Sequence, residues 1–150
     1  AAVKNPILIK DLVNEFGSQS IVVSIEAKNI NKNKWEVYVE HGREKTGLDV
    51  IEWAKKVEEL GAGEILLTSI DNEGTRKGYD IEITKRVQEK INIPLIASGG
   101  MGEPKDLLDV VSIGKANAVS MADIIHYNKY SLKEIREFAL KKKIEVRVLK

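Results

Sequence analysis

Along "SIVVSIEAK" (residues 20–28) polar and apolar positions alternate. In an extended chain Ser24, Glu26 and Lys28 fall on one face, and Val23, Ile25 and Ala27 on the other. Three more short runs read as strands: "EILLTSID" (64–71), "IPLIASGG" (93–100) and "ANAVSMAD" (116–123). They are almost wholly apolar, as strands buried on both faces are. Around them apolar residues recur at helical spacing. Ile7, Leu8, Leu12, Val13 and Phe16 form one face of an opening helix, which Asn5 can cap, Pro6 can start and Gly17 can end. Val50, Ile51, Ala54, Val57 and Leu60 predict a second helix, and Ile81, Ile83, Thr84, Val87 and Ile91 a third. Leu107, Leu108, Val111 and Ile113 predict a fourth, stopped by Gly114. A last helix opens on "SLKE", where Ser131 and Glu134 have the spacing of a capping box, and buries Ile135, Phe138 and Ala139.

Strand followed by helix, four times over, predicts an α/β fold with a parallel sheet and helical crossovers. A doubly wound open sheet fits this order. Half of an eight-unit barrel fits it as well, since a closed barrel needs about eight such units. One segment breaks the alternation. In "NKWEVYVEHGREKTG", Trp35, Val37 and Val39 alternate with Glu36, Tyr38 and Glu40 before "HG" turns the chain. That pattern predicts an antiparallel hairpin inserted after the first strand. No low-complexity linker interrupts residues 1–150, so a single domain is expected. The opening helix has no strand before it, so a barrel reading calls for preceding chain or a partner half.

Composition narrows the classes. The chain has 150 residues, 43% hydrophobic and 31% charged, which fits a soluble globular domain. Basic and acidic residues nearly cancel at a net charge of +1, so nothing electrostatic points to nucleic acid or to an anionic membrane. The absence of cysteine removes thiolate chemistry, disulfides and cysteine metal sites. No stretch approaches the roughly 20 apolar residues of a membrane span, and "AAVKNPILIK" lacks the pattern of a signal peptide.

In parallel sheets, ligands bind at the carboxyl ends of the strands. Those ends carry Glu26 and Lys28, Asp71 with "NEGT", Ser98-Gly99-Gly100, and Ala122-Asp123. "DNEGTRKGYD" and "SGGMGEP" each offer backbone N–H groups close to a helix start, and together they could cradle a phosphate. Glycines that only turn a tight loop would leave the same trace. Glu26 is a candidate general acid or base, or else the partner of Lys28 at the rim. Glu64 starts its strand in phase with Leu66 and Thr68. His41 and His126 are isolated, and Tyr38, Tyr79 and Tyr127 form no stacking stripe.

"FGSQSIVVSIEAK", "EELGAGEILLTSIDNEGTRKGYD" and "IPLIASGGMG" together resemble the C-terminal half of the HisF family, the cyclase subunit of imidazole glycerol phosphate synthase. The resemblance runs from Ala2 to about Arg147. It implies a (βα)8 TIM barrel of which this chain supplies strands five to eight, with the N-terminal half absent. It implies a lyase of histidine biosynthesis, cytoplasmic, without a cofactor or metal. That enzyme takes ammonia from a HisH-like glutaminase partner and acts on a phosphorylated sugar-nucleotide, a phosphoribosyl ribulotide. The products are imidazole glycerol phosphate and an aminoimidazole carboxamide nucleotide. The match puts the second-half catalytic carboxylate at Glu26, where the family has an aspartate. It puts phosphate contacts at Glu73, Gly74, Gly100, Ala122 and Asp123, the last a serine in the family pattern, and the loop reading adds Thr75 and Gly99 to them. Glu64 falls at the ammonia gate, Thr68 and Ser98 along the channel, and Arg147 near the partner surface. The two departures also fit a HisF-like paralogue branch that delivers ammonia for amidino-sugar synthesis in surface polysaccharide. A third expectation is an inactive half-barrel that self-associates through open sheet edges.

Overall fold

The first strand joins two kinds of sheet. In the computed structural model, which describes residues 1–147, β1 (Val22–Asn31) pairs in parallel with β4 (Glu64–Ser69) and antiparallel with β2 (Lys34–Val39). β2 pairs antiparallel with β3 (Glu44–Asp49), and β4 continues in parallel to β5 (Leu95–Ser98) and β6 (Ala118–Ser120). The six strands lie in the order β3-β2-β1-β4-β5-β6. β1 runs three residues beyond the predicted Lys28 because β2 gives it a partner as far as Asn31. At its start, residues 18–20 form a 3-10 turn, so the strand begins at Val22 rather than Ser20. The strand read as 64–71 stops at Ser69. Beyond it the Ile70 N–H donates to the Ala27 carbonyl (2.9 Å) and Asp71 accepts from the Asn29 N–H (2.7 Å).

Helices α1 (Ile7–Phe16), α2 (Val50–Glu59), α3 (Ile81–Gln88), α4 (Pro104–Ser112), α5 (Asp123–His126) and α6 (Leu132–Lys141) complete the chain. Asp49 caps α2 by accepting from Ile51 and Glu52, and Asp80 caps α3 by accepting from Ile83. The Ser131–Glu134 capping box is formed in both directions. Two predicted faces are corrected. α1 buries Ile9 and exposes Ile7 and Phe16, and its cap position is Pro6 with no side-chain bond, so Asn5 does not cap. α4 buries Leu107 and Val110 and exposes Ile113. α5 was not expected: four residues are too few to carry a helical period.

One face of the sheet is packed. Val23, Ile25, Ala27, Ile65, Leu67 and Leu95 are buried against α2 and α3 residues such as Ala54, Val57 and Val87. A second cluster joins Ala97 to Leu107 and Val110 of α4 and Ile135 and Ala139 of α6. The other face is open. Val22 is 48% exposed, and Ser24, Glu26, Leu66, Thr68, Ile96 and Ser98 are only partly covered or exposed. Residues paired in register on adjacent strands share a face, so this open face can be read row by row.

Candidate functional site

The row at the carboxyl ends of the strands is polar. Register pairs Glu26 with Thr68, Thr68 with Ser98, and Ser98 with Ser120. Two residues earlier the row is Ser24, Leu66, Ile96 and Ala118, and at the foot Val22 pairs with Glu64. Glu64 therefore lies four residues below Thr68, about 13 Å at the usual strand rise. Arg147 is exposed and lines a groove with Arg136, Lys142 and Asn117 at the start of β6. It thus sits at the foot of the sheet, as Glu64 does, and not with Glu26.

Glu26 is partly buried, and one carboxylate oxygen accepts the Gly42 N–H at 2.9 Å. That N–H is delivered by the β2–β3 turn, where Glu40, His41 and Gly42 all have positive φ (52°, 59° and 74°). Two non-glycine residues held in this region store strain, which persists only where the surroundings impose it. Among the described residues no ion pair joins Glu26 to Lys28. The Lys28 ammonium lies over the Tyr38 ring instead, 5.4 Å from its centre. The rim pair weighed from the sequence is therefore not formed.

The loop between β4 and α3 is built on Asn72. Its amide donates to the Gly78 carbonyl (2.8 Å), its side-chain oxygen accepts from Ser69 (3.2 Å), and its backbone carbonyl accepts the Thr75 hydroxyl (2.7 Å). This loop docks on the one after β5. The Gly78 N–H donates to the Gly100 carbonyl at 2.8 Å. A Cβ on Gly100 would stand 2.1 Å from the Gly78 oxygen, and one on Gly102 would stand 2.2 Å from the Arg76 oxygen. These glycines are required by backbone contact between loops. The Tyr79 hydroxyl closes the assembly from below by donating to the Ser120 carbonyl (3.0 Å), and burial pushes its pKa upward.

Between the two loops and β6 lies a cleft lined by Glu73, Gly74, Arg76, Ser98, Gly99, Gly100, Ala122 and Asp123. Among the described residues, the N–H groups of Gly74, Gly99 and Gly100 donate to no protein acceptor. Gly99 and Gly100 are themselves buried and line the cleft, so their N–H groups are donors without a protein acceptor. Thr75 is corrected: it does not line the cleft, because its hydroxyl and its N–H are both turned inward to Asn72.

Arg76 was not singled out from the sequence. Its guanidinium pairs with both oxygens of Asp123, from Nε to Oδ2 and from Nη2 to Oδ1 (3.1 Å), and lies 5.0 Å from the centre of the Tyr127 ring. The hydrogen bond to Arg76 holds the Asp123 carboxyl below the usual carboxylate range, and Asp123 in turn raises the arginine. The available signal was charge. Arg76 is a cation between two loop glycines, facing a carboxylate at the next strand end but one. Arg76 thus neutralises the carboxylate that the sequence alone sets against an anion.

The family described as histidine biosynthesis protein matches residues 1–131. Over 149 residues the chain is 54% identical to the imidazole glycerol phosphate synthase subunit HisF of Prochlorococcus marinus subsp. pastoris (strain CCMP1986 / NIES-2087 / MED4). The match covers 98% of this chain and 58% of that relative. The HisF subunit of strain MIT 9301 matches to the same extent, and that of strain NATL1A is 51% identical over 150 residues. The chain therefore spans under three fifths of the length of these relatives.

Proposed function

The chain belongs to the histidine biosynthesis protein family, and on that premise we propose that it supplies the second-half strands of an ammonia-dependent imidazole glycerol phosphate synthase site. The observation that carries this reading is the register of the open face: a carboxylate, Glu26, stands in one polar row with Thr68, Ser98 and Ser120. The row ends beside a cleft of free backbone N–H groups and an arginine. Glu26 serves as general acid or base, one oxygen fixed by the Gly42 N–H and the other left for the reacting group. A positioned carboxylate of this kind contributes roughly 10²–10⁴-fold. Gly74, Gly99 and Gly100 hold the phosphate end of a ribulotide through their N–H groups, with Arg76 as counter-charge and Ala122 at the rim.

Ammonia enters at the foot of the sheet past Glu64 and travels about 13 Å up the open face, past Leu66, to Thr68 and Ser98. A HisH-like glutaminase docks at that foot, on the side of Arg147. Closing the open face into a (βα)8 barrel takes strands that this chain does not contain. A second copy pairing at the sheet edges is the alternative cover. The setting of this reading is the cytoplasm. A second reading, an ammonia-delivering subunit for sugar amidation, is favoured by one feature, the Arg76–Asp123 pair that occupies the phosphate cleft.

The test is turnover of the phosphoribosyl ribulotide with ammonium salt by the protein that carries this chain. The reading expects turnover that Glu26→Asp retains and Glu26→Gln reduces by at least about 100-fold. Equal turnover in wild type and Glu26→Gln would remove Glu26 from the chemistry. No turnover of the ribulotide by wild type, in an otherwise folded protein, would favour the sugar-amidation reading.

A further inference from the structure

The cleft described above is lined by two carboxylates, Glu73 and Asp123, against one guanidinium, so its fixed charge is net negative. A phosphate monoester carries up to two negative charges near neutral pH. As built, the cleft repels the ligand that its backbone donors suit. The Arg76–Asp123 pair reconciles the two. Both partners are partly exposed, with side-chain exposures of 37% and 25%. Ion pairs this open to water contribute little net stability, so exchanging one carboxylate for another anion costs little. Arg76 has a positive φ of 57° and is flanked by a loop glycine two residues away on each side, Gly74 and Gly78. Its guanidinium also lies 5.0 Å from the centre of the Tyr127 ring, a cation–π contact that does not depend on which anion Arg76 pairs with. The guanidinium fork matches phosphate oxygens as well as it matches a carboxylate.

We propose that Asp123 is an internal competitor for Arg76, and that a phosphate group binds the cleft by taking Arg76 from Asp123 while accepting the Gly99 and Gly100 N–H groups. Asp123 thereby sets both affinity and selectivity. A ligand must offer several anionic oxygens at once, because it has to replace both oxygens of the carboxylate and fill the backbone donors beneath. This inference rests on reading the cleft as a phosphate site and adds the residue that tunes it.

The experiment is a titration of the chain with inorganic phosphate at constant ionic strength, with chloride as the balancing anion. The backbone amide resonances of Gly74, Gly99 and Gly100 are followed in wild type, Asp123→Asn, Asp123→Ser, Arg76→Gln and the double variant Arg76→Gln/Asp123→Asn. The Asp123 variants bind phosphate more tightly than wild type by about tenfold or more. Arg76→Gln binds more weakly than wild type, and the double variant loses the gain of Asp123→Asn. If the Asp123 variants respond at the wild-type phosphate concentration, the competition is overturned while the phosphate site stands. The same holds if the double variant keeps the gain, because Arg76 is then not what Asp123 withholds. If the three glycine amides respond in no variant, the phosphate reading fails and the competition fails with it. Asp123→Ser keeps the test open should Asp123→Asn fold poorly.

Discussion

Replacing Gly100 with alanine tests whether the loops after β4 and β5 meet at this glycine. The backbone there has φ 104°, and a Cβ would stand 2.1 Å from the Gly78 carbonyl oxygen and 2.9 Å from Asn72 Cβ. Neither neighbour is the tip of a flexible side chain, so one loop must retreat. A positive φ costs an L-residue about 1–2 kcal/mol. Overpacking against backbone adds about 1–3 kcal/mol. Loss of the 2.8 Å hydrogen bond from Gly78 to Gly100 adds about 1 kcal/mol. The expected total is about 3–6 kcal/mol. Gly74 provides the internal control. It also has a positive φ, 71°, but a Cβ there meets nothing within 4 Å. Gly74→Ala should cost only about 1 kcal/mol, since the reduced freedom of the unfolded chain offsets part of the strain. Urea unfolding followed by circular dichroism gives both values directly. In thermal melts the difference amounts to roughly 10 °C, at about 2–4 °C per kcal/mol for a chain of this size. Equal destabilisation by the two substitutions, within about 0.5 kcal/mol, would show that the loops do not meet at Gly100 as described.

Two further outcomes test the supports of the site. Trp35→Phe removes the indole N–H that donates to the Asp80 carboxylate at 3.0 Å, leaving that carboxylate the Ile83 N–H (3.2 Å) among the described residues. It should cost about 1–2 kcal/mol in urea unfolding, and no change in midpoint would remove that bond as the tie between hairpin and α3. Tyr79 is held neutral by burial, so its folded pKa lies above its unfolded value. Its stabilising contribution is therefore complete below about pH 10 and is lost as pH rises further. Unfolding midpoints measured from pH 8 to 11 should fall more steeply in wild type than in Tyr79→Phe, and parallel slopes would refute the burial of the phenol.

The elements legible in the sequence were those whose signal is local. Period-2 alternation put Val23, Ile25 and Ala27 on the packed face of β1 and left Ser24, Glu26 and Lys28 on the other. The Ser131–Glu134 spacing marked the start of α6. Features that depend on distant chain were not legible. Asp80 meets Trp35 across 45 residues and Arg76 meets Asp123 across 47, and both meetings follow from how loops dock. The α1 face was misread because Ile7 and Phe16 fit an apolar stripe as well as Ile9 does, and only packing chooses between them. Thr75 failed for a related reason. A hydroxyl beside a glycine can serve a ligand or its own loop, and here the Asn72 carbonyl takes it.

The same distinction bears on the two positions where this chain departs from the pattern its family resemblance implies. At Glu26 the carboxylate is one methylene longer than an aspartate, and a longer side chain has more rotamers in which to miss its target. The Gly42 N–H removes that freedom by fixing one oxygen, and the turn that supplies it holds Glu40 and His41 at positive φ. At Asp123 a serine is replaced by a charge, and an uncompensated carboxylate would close the cleft to anions. Arg76 supplies the compensation from the neighbouring loop, whose own position is fixed by the contact of Gly78 with Gly100. Each departure is thus matched by a partner on a different segment of chain. On the proposed reading the first partner keeps the Glu26 carboxylate in one position, and the second makes a phosphate compete with Asp123 for Arg76.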